Sequence, residues 1–214
     1  MIGIVLCTIS GIAQPAVRNE PRHHNVFENG YVRILDVFLP PHDTTQFHVH
    51  NTPSVFNTFT KTATGSQLIN GQPTRDVSVA GNSWYDNLVT PRTHRVWNED
   101  TNWFHVMDIE LIGGKPHSAP SLLQNSLLQL FFNAPLANGY HLQLAPDNSI
   151  ELPVSRAGYL ILSNGDVVTE YKVNGSNQLR NMKSGHYIWI DPGSQFSMTS
   201  RGKATANFLV LQLK

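Results

Sequence analysis

Polar and apolar positions along this chain alternate with a period of two far more often than they recur with a helical period. From Val26 onward, short runs rich in β-branched and aromatic residues follow one another between turn-forming residues, as in YVRILDVFL (31–39), SWYDNLV (83–89) and WFHVMDIEL (103–111). Such alternation marks strands with one face toward a core, and no segment sustains a helical pattern. Asn-Gly recurs at 29–30, 70–71, 138–139, 164–165 and 174–175, the pair best suited to the positive-φ positions of tight hairpins. Strands at this spacing predict an all-β sandwich or barrel.

The pattern breaks between Gly113 and Leu130, where GGKPHSAPSLLQNSLLQL reads as a Gly/Pro-rich linker in which Ser118 or Ser121 caps one helical turn. Beyond it the β pattern restarts and echoes the first half. LPPHDTTQFHVH (39–50) lies over LAPDNSIELPVS (144–155) without a gap, and the tract opening at Gly81 lies over the one opening at Gly185. Internal similarity of this kind points to a duplicated unit. The expected organisation is an N-terminal segment (1–22), a first barrel (23–112), a linker (113–126) and a second barrel (127–214).

Charge and cysteine content narrow the chemistry. Fifteen Lys and Arg balance fifteen Asp and Glu, so no basic field draws nucleic acid or anionic lipid, and a small molecule is the expected partner. No apolar stretch after the N-terminus is long enough to span a bilayer. Cys7 is the single cysteine, which leaves no disulfide framework and no thiolate cluster; a bound metal would need His, carboxylate, amide or water. The opening MIGIVLCTISGIA is apolar and reaches small residues at Gly11 and Ala13, but lacks a basic start. It reads either as a signal peptide, which would make the protein exported or periplasmic, or as an N-terminal strand of a cytoplasmic protein.

Within that frame QFHVH (46–50) stands out. On a strand His48 and His50 point to one face while Val49 points to the other, the geometry for two imidazoles on one ion. Further along, TPRTHRVWN (90–98) places His94 after a Pro91 turn, with Asn98 four residues on. These two tracts resemble the paired motifs of the cupin superfamily, Gly-x5-His-x-His and a downstream Gly…Pro-turn…His-x3-Asn. The resemblance implies tandem antiparallel cupin barrels, or a bicupin. Its first barrel would hold a divalent metal on His48, His50 and His94. Its second would be a degenerate barrel, with Pro153, Ser155 and Phe196 at the equivalent places.

The departures are His42 in place of the first motif's Gly, Thr90-Pro91 without a glycine, and Ser54 or Val55 where a ligand Glu is expected. Three neutral imidazoles leave the full charge of the ion, which favours an anionic ligand. They resemble three-histidine cupins, so Fe(II) is the favoured metal, with Mn, Ni or Zn as alternatives. The implied function is a metal-dependent dioxygenase or isomerase acting on a small oxygenated molecule. The alternative is a non-catalytic ligand-binding or structural cupin. The resemblance also implies a homodimer.

Around the histidines, Gln46, Asn57 and Gln67 are candidates for the polar lining of a pocket. Asn98 reads as the fastener of its turn and His105 as a candidate fourth ligand. His42 reads as an exposed turn residue. His23 and His24 precede the barrel and read as adventitious. Trp84, Tyr85, Trp97, Trp103 and Phe104 read mostly as core.

Overall fold

The computed structural model describes residues 13–113 and 120–214. Residues 1–12 of the candidate signal segment and the Ser118 cap lie outside them. Among the described residues there is no α-helix, only one 3-10 turn at Val17–Asn19. The strands of the first half are β1 (His23–Glu28), β2 (Val32–Leu39), β3 (His48–His50), β4 (Ser54–Thr58), β5 (Thr62–Leu68), β6 (Thr74–Ser78), β7 (Ser83–Asp86), β8 (Arg92–Asn98) and β9 (Phe104–Leu111). Those of the second half are β10 (Leu128–Asn133), β11 (Ala137–Leu144), β12 (Ser149–Leu152), β13 (Tyr159–Ser163), β14 (Val167–Val173), β15 (Ser176–Met182), β16 (Tyr187–Ile190), β17 (Phe196–Ser200) and β18 (Ala206–Leu213).

The first half forms a five-stranded sheet, β1-β2-β9-β4-β7, facing a four-stranded sheet, β3-β8-β5-β6. The second half repeats both orders as β10-β11-β18-β13-β16 and β12-β17-β14-β15. Even the irregularities recur: the register shifts between Asn25 and Phe27 in one barrel and between Leu130 and Phe132 in the other. The duplication therefore holds strand by strand, as tandem antiparallel jelly-roll barrels.

Register also corrects two sequence readings. His48 pairs with His94, and the equivalent pair in the second barrel is Leu152 with Phe196. Phe196 thus stands in the place of His94, but Leu152, not Pro153, stands in that of His48. The gapless overlay slips by one because the stretch from Leu144 to Leu152 is one residue shorter than that from Leu39 to His48. In the linker, residues 120–126 form no helical turn. Leu123 and Leu127 are instead drawn onto the core of the second barrel, and Leu123 N donates to Tyr140 Oη at 3.0 Å.

The two interiors differ. That of the second barrel is filled by large buried side chains, among them Tyr140, Tyr159, Phe196 and Phe208. That of the first holds only a small cluster of Val37, Leu39, Phe104 and Val106, with Val96 against it. What space remains there is a cavity.

The outer faces of the two five-stranded sheets bury each other through Val32, Ile34, Val55, Ile109 and Leu111 from the first barrel and Leu160, Leu162, Leu209, Leu211 and Leu213 from the second. Phe27 of β1 packs against Tyr187 and Trp189 of β16, with centroids 5.6 and 5.9 Å away, and Tyr85 of β7 stacks on Phe132 of β10 at 4.7 Å. Since β16 and β10 are the counterparts of β7 and β1, a two-fold rotation exchanges these contacts. The barrels meet as the subunits of a symmetric dimer would, so a homodimer of whole chains would have to use other surfaces.

Candidate metal centre

His48 and His50 both face the interior because the short strand β3 puts alternate residues on one side. They are 0% and 2% exposed. The neighbouring β8 brings in His94, directly opposite His48. His50 Nε2 lies 3.0 Å from His48 Nε2 and 3.0 Å from His94 Nε2. Nitrogens bound side by side to an ion at about 2.0–2.1 Å lie about 2.9–3.4 Å apart, so this spacing fits a shared ion.

The opposite ring nitrogens decide what the Nε2 atoms are. His48 Nδ1 donates to the Gln46 carbonyl at 2.8 Å. A carbonyl can only accept, so the neutral ring presents a bare lone pair at Nε2. His50 Nδ1 lies 3.2 Å from Asp108 Oδ2, without hydrogen-bond geometry. Burial pushes the His48 imidazole down to about 3, with His23 beside it adding to the effect. Burial likewise pushes His94 down to about 2, with His50 adding to it. Near neutral pH these rings are therefore uncharged. Three imidazoles converging through Nε2, one of them with a demonstrable lone pair, are a donor set that fits a metal.

Sequence reasoning missed His23. Strand β1 folds back beside β2 and brings this side chain to the cluster, its ring 4.6 Å from that of His48. One nitrogen each from His23, His48 and His50 can be chosen within 4.8 Å of one another. The available signal was Glu20, three residues before His23 and 2% exposed, which accepts from His23 Nδ1 at 2.6 Å. Asp108 was also missed. Its signal was an acid on the same face of a central strand as Phe104 and Val106.

The remaining candidates fall elsewhere. His105 points to the outer face, where its Nε2 lies 2.7 Å from Asp36 Oδ1 and its ring stacks on Phe38; it is not near the cluster. Asn57 also points outward and donates to Asn164 of the second barrel at 2.9 Å. Gln67 is tied to Gly71 and Arg95 rather than to the cavity. Gln46 contributes its backbone, not its side chain, which is exposed. Asn98 donates to the carbonyls of Leu39, Pro40 and Asn102 and fastens the turn, as the sequence suggests. His42 is an exposed turn residue with φ 61°. Ser54 faces inward but is 0% exposed, and Val55 faces the second barrel. The position of the expected Glu thus presents no carboxylate.

Above the cluster opens a cavity of about 530 Å³. One wall is apolar, and at another Phe56 and Trp84 stack at 5.0 Å and 14°. Arg92, opposite His50 in register, holds its guanidinium 5.9 Å from the Phe56 centroid and donates Nη1 to Asp86 at 2.6 Å. This volume suits a ligand of a dozen or so atoms, and the few polar groups in it would set that ligand's orientation.

No protein-family model matches the chain, and no curated protein matches it. Solved structures do match in fold. AerE from Microcystis aeruginosa superposes with a TM-score of 0.63 at 9% identity, over 91% of this chain and 98% of that one. A salicylate 1,2-dioxygenase from Pseudaminobacter salicylatoxidans gives 0.62 at 10%, over 85% and 71%. A cupin 2 conserved barrel domain protein from Leptotrichia buccalis gives 0.59 at 11%, over 89% and 88%. At such identities the likeness is one of fold: the chain has a cupin-type two-barrel fold, with a histidine cluster in the first barrel.

Proposed function

We propose that the protein is a metal-dependent cupin enzyme whose first barrel binds one divalent ion, with Fe(II) favoured, on His48, His50 and His94, and acts on a small planar oxygenated molecule. The observation that carries this reading is that His50 Nε2 lies 3.0 Å from the Nε2 atoms of both His48 and His94, beside an open cavity. A bound ion with three protein ligands would supply Lewis acidity and, if it is Fe(II), reactivity toward O₂.

The chain's own residues do the positioning. The Phe56–Trp84 stack offers a flat apolar surface, Arg92 offers a cation for an oxyanion, and Val37, Leu39, Phe104 and Val106 keep water from the inner wall. A neighbour of the same fold is a salicylate dioxygenase, also known in adducts with gentisate. Both compounds are hydroxylated aromatic acids of a size this cavity would hold.

The test is the metal content of anaerobically purified protein, wild type against His50→Ala, followed by oxygen uptake with hydroxybenzoates, β-diketones and thiols. One equivalent in the wild type that is lost in the variant, with metal-dependent uptake on one of these substrates, is the expected result. Absence of metal from both proteins would overturn the proposal. Saturable binding without uptake would reduce it to a ligand-binding barrel.

A further inference from the structure

We infer that His23 is a fourth metal ligand, and that the carboxylates of Glu20 and Asp108, standing behind His23 and His50, supply from outside the ligand set the negative charge that the missing glutamate would have brought; this rests on the metal reading above. With Nδ1 held by Glu20 at 2.6 Å, His23 has Nε2 as its free nitrogen. Its side chain is 6% exposed.

Glu20 is a built support rather than a passing contact. Its oxygens accept from His23 Nδ1, from Arg22 N at 2.8 Å and from Gln46 N at 3.0 Å. The carbonyl of the same Gln46 orients His48. One short stretch of backbone thus aims two imidazoles at the cluster.

Asp108 is the stronger observation. It is 1% exposed, and neither of its oxygens has a hydrogen-bond partner among the described residues. A buried carboxylate in that state is costly unless a positive charge faces it. The nearest candidate is His50 Nδ1 at 3.2 Å, which becomes strongly polarised once a cation sits on the far nitrogen of the ring. The other acid on this face, Glu110, is already held by Arg33 at 2.6 Å. Two carboxylates against a divalent ion make the assembly neutral.

The second barrel provides an internal comparison. Strand register puts Leu128 in the place of His23, Leu152 in that of His48, Phe196 in that of His94 and Val210 in that of Asp108. All four replacements are apolar, and all four join the core of that barrel. Where the shared histidines are gone, His23 and the carboxylate are gone with them, as expected of parts that serve one ion.

The experiment titrates Co(II) into metal-stripped full-length protein against a competing chelator, records the visible spectrum, and measures the urea midpoint of each metal-free form. His23→Ala and His23→Gln should still bind one equivalent but at least about tenfold more weakly and with an altered spectrum. Glu20→Gln and Asp108→Asn should each weaken binding by about 10–100-fold. Metal-free Asp108→Asn should also be more stable than metal-free wild type, a shift opposite to that of a residue needed only for folding. Unchanged affinity and spectrum in both His23 variants would overturn the ligand assignment. Unchanged affinity with lower metal-free stability in Asp108→Asn would overturn the charge assignment. If the wild type takes up no Co(II), the metal reading itself falls and this inference with it; His50→Ala, expected to bind none, marks that baseline.

Discussion

Two buried imidazoles kept uncharged, those of His48 and His94, make the first barrel sensitive to acid. His48 and His94 have their proton affinities lowered by burial to about 3 and about 2, against 6.5 when exposed. Below about pH 6.5 the unfolded chain takes up protons at these residues and the folded chain does not, so stability falls as pH falls toward 3. Each histidine contributes up to about 1.4 kcal/mol per pH unit over that window. The urea midpoint of metal-stripped protein should therefore drop steadily from about pH 6.5 to about pH 4, and a flat profile would contradict the neutral-imidazole reading. At this scale the sequence was legible where ligands share a strand or a motif. His48 and His50 could be read because a period of two fixes their common face, and His94 because it stands in the second of the two motifs. His23 and Asp108 carried only faint local signals, a nearby Glu20 and an acid in an apolar run, because what brings them to the cluster is the pairing of β1 with β2 and of β9 with β4, which no local pattern encodes.

Strands were legible where alternation was strong. The runs at 31–39, 83–89 and 103–111 became β2, β7 and β9 with their ends trimmed by one to three residues. What alternation could not tell was which face of β9 looks inward. His105 was a reasonable ligand candidate until its neighbours Val106 and Asp108 proved to be the cavity-facing residues. Its role is to pair with Asp36 and stack on Phe38 and Phe59 near the second barrel. Replacing His105 by Ala should leave metal content unchanged and lower stability by about 1–3 kcal/mol through the unpaired Asp36 and lost packing, as measured by urea denaturation beside a metal assay. The linker erred in a similar way: its leucines look like a short amphipathic turn, yet they pack individually on an apolar barrel that the local sequence does not show.

For the whole molecule, the duplication was legible from the restart of the pattern, and the face-to-face docking of the barrels was not. Leu211, 0% exposed, lies in the apolar layer between them. Leu211→Ala should cost about 2–5 kcal/mol. Because that layer is shared, both barrels should melt together. Trp84, Trp97 and Trp103 report on the first barrel and Trp189 on the layer where the second docks onto it, so fluorescence with and without Trp189→Phe should give transitions that coincide with each other and with the loss of strand signal in circular dichroism from both barrels. Separate midpoints would mean the layer couples them weakly.

The two-fold relation between the halves also governs how the chain can change. In a dimer of identical barrels, any substitution that fills one interior fills both, and a stabilising replacement that blocks the cavity abolishes it everywhere. Joining the halves in one chain removes that constraint. One half is free to become solid, as Leu152, Phe196 and Val210 show, while the other keeps polar residues and open space at a cost in stability. Mutational tolerance should therefore be lopsided across the pseudo-axis: inner-face substitutions in the second barrel fall on folding, and those at matching positions in the first fall on chemistry.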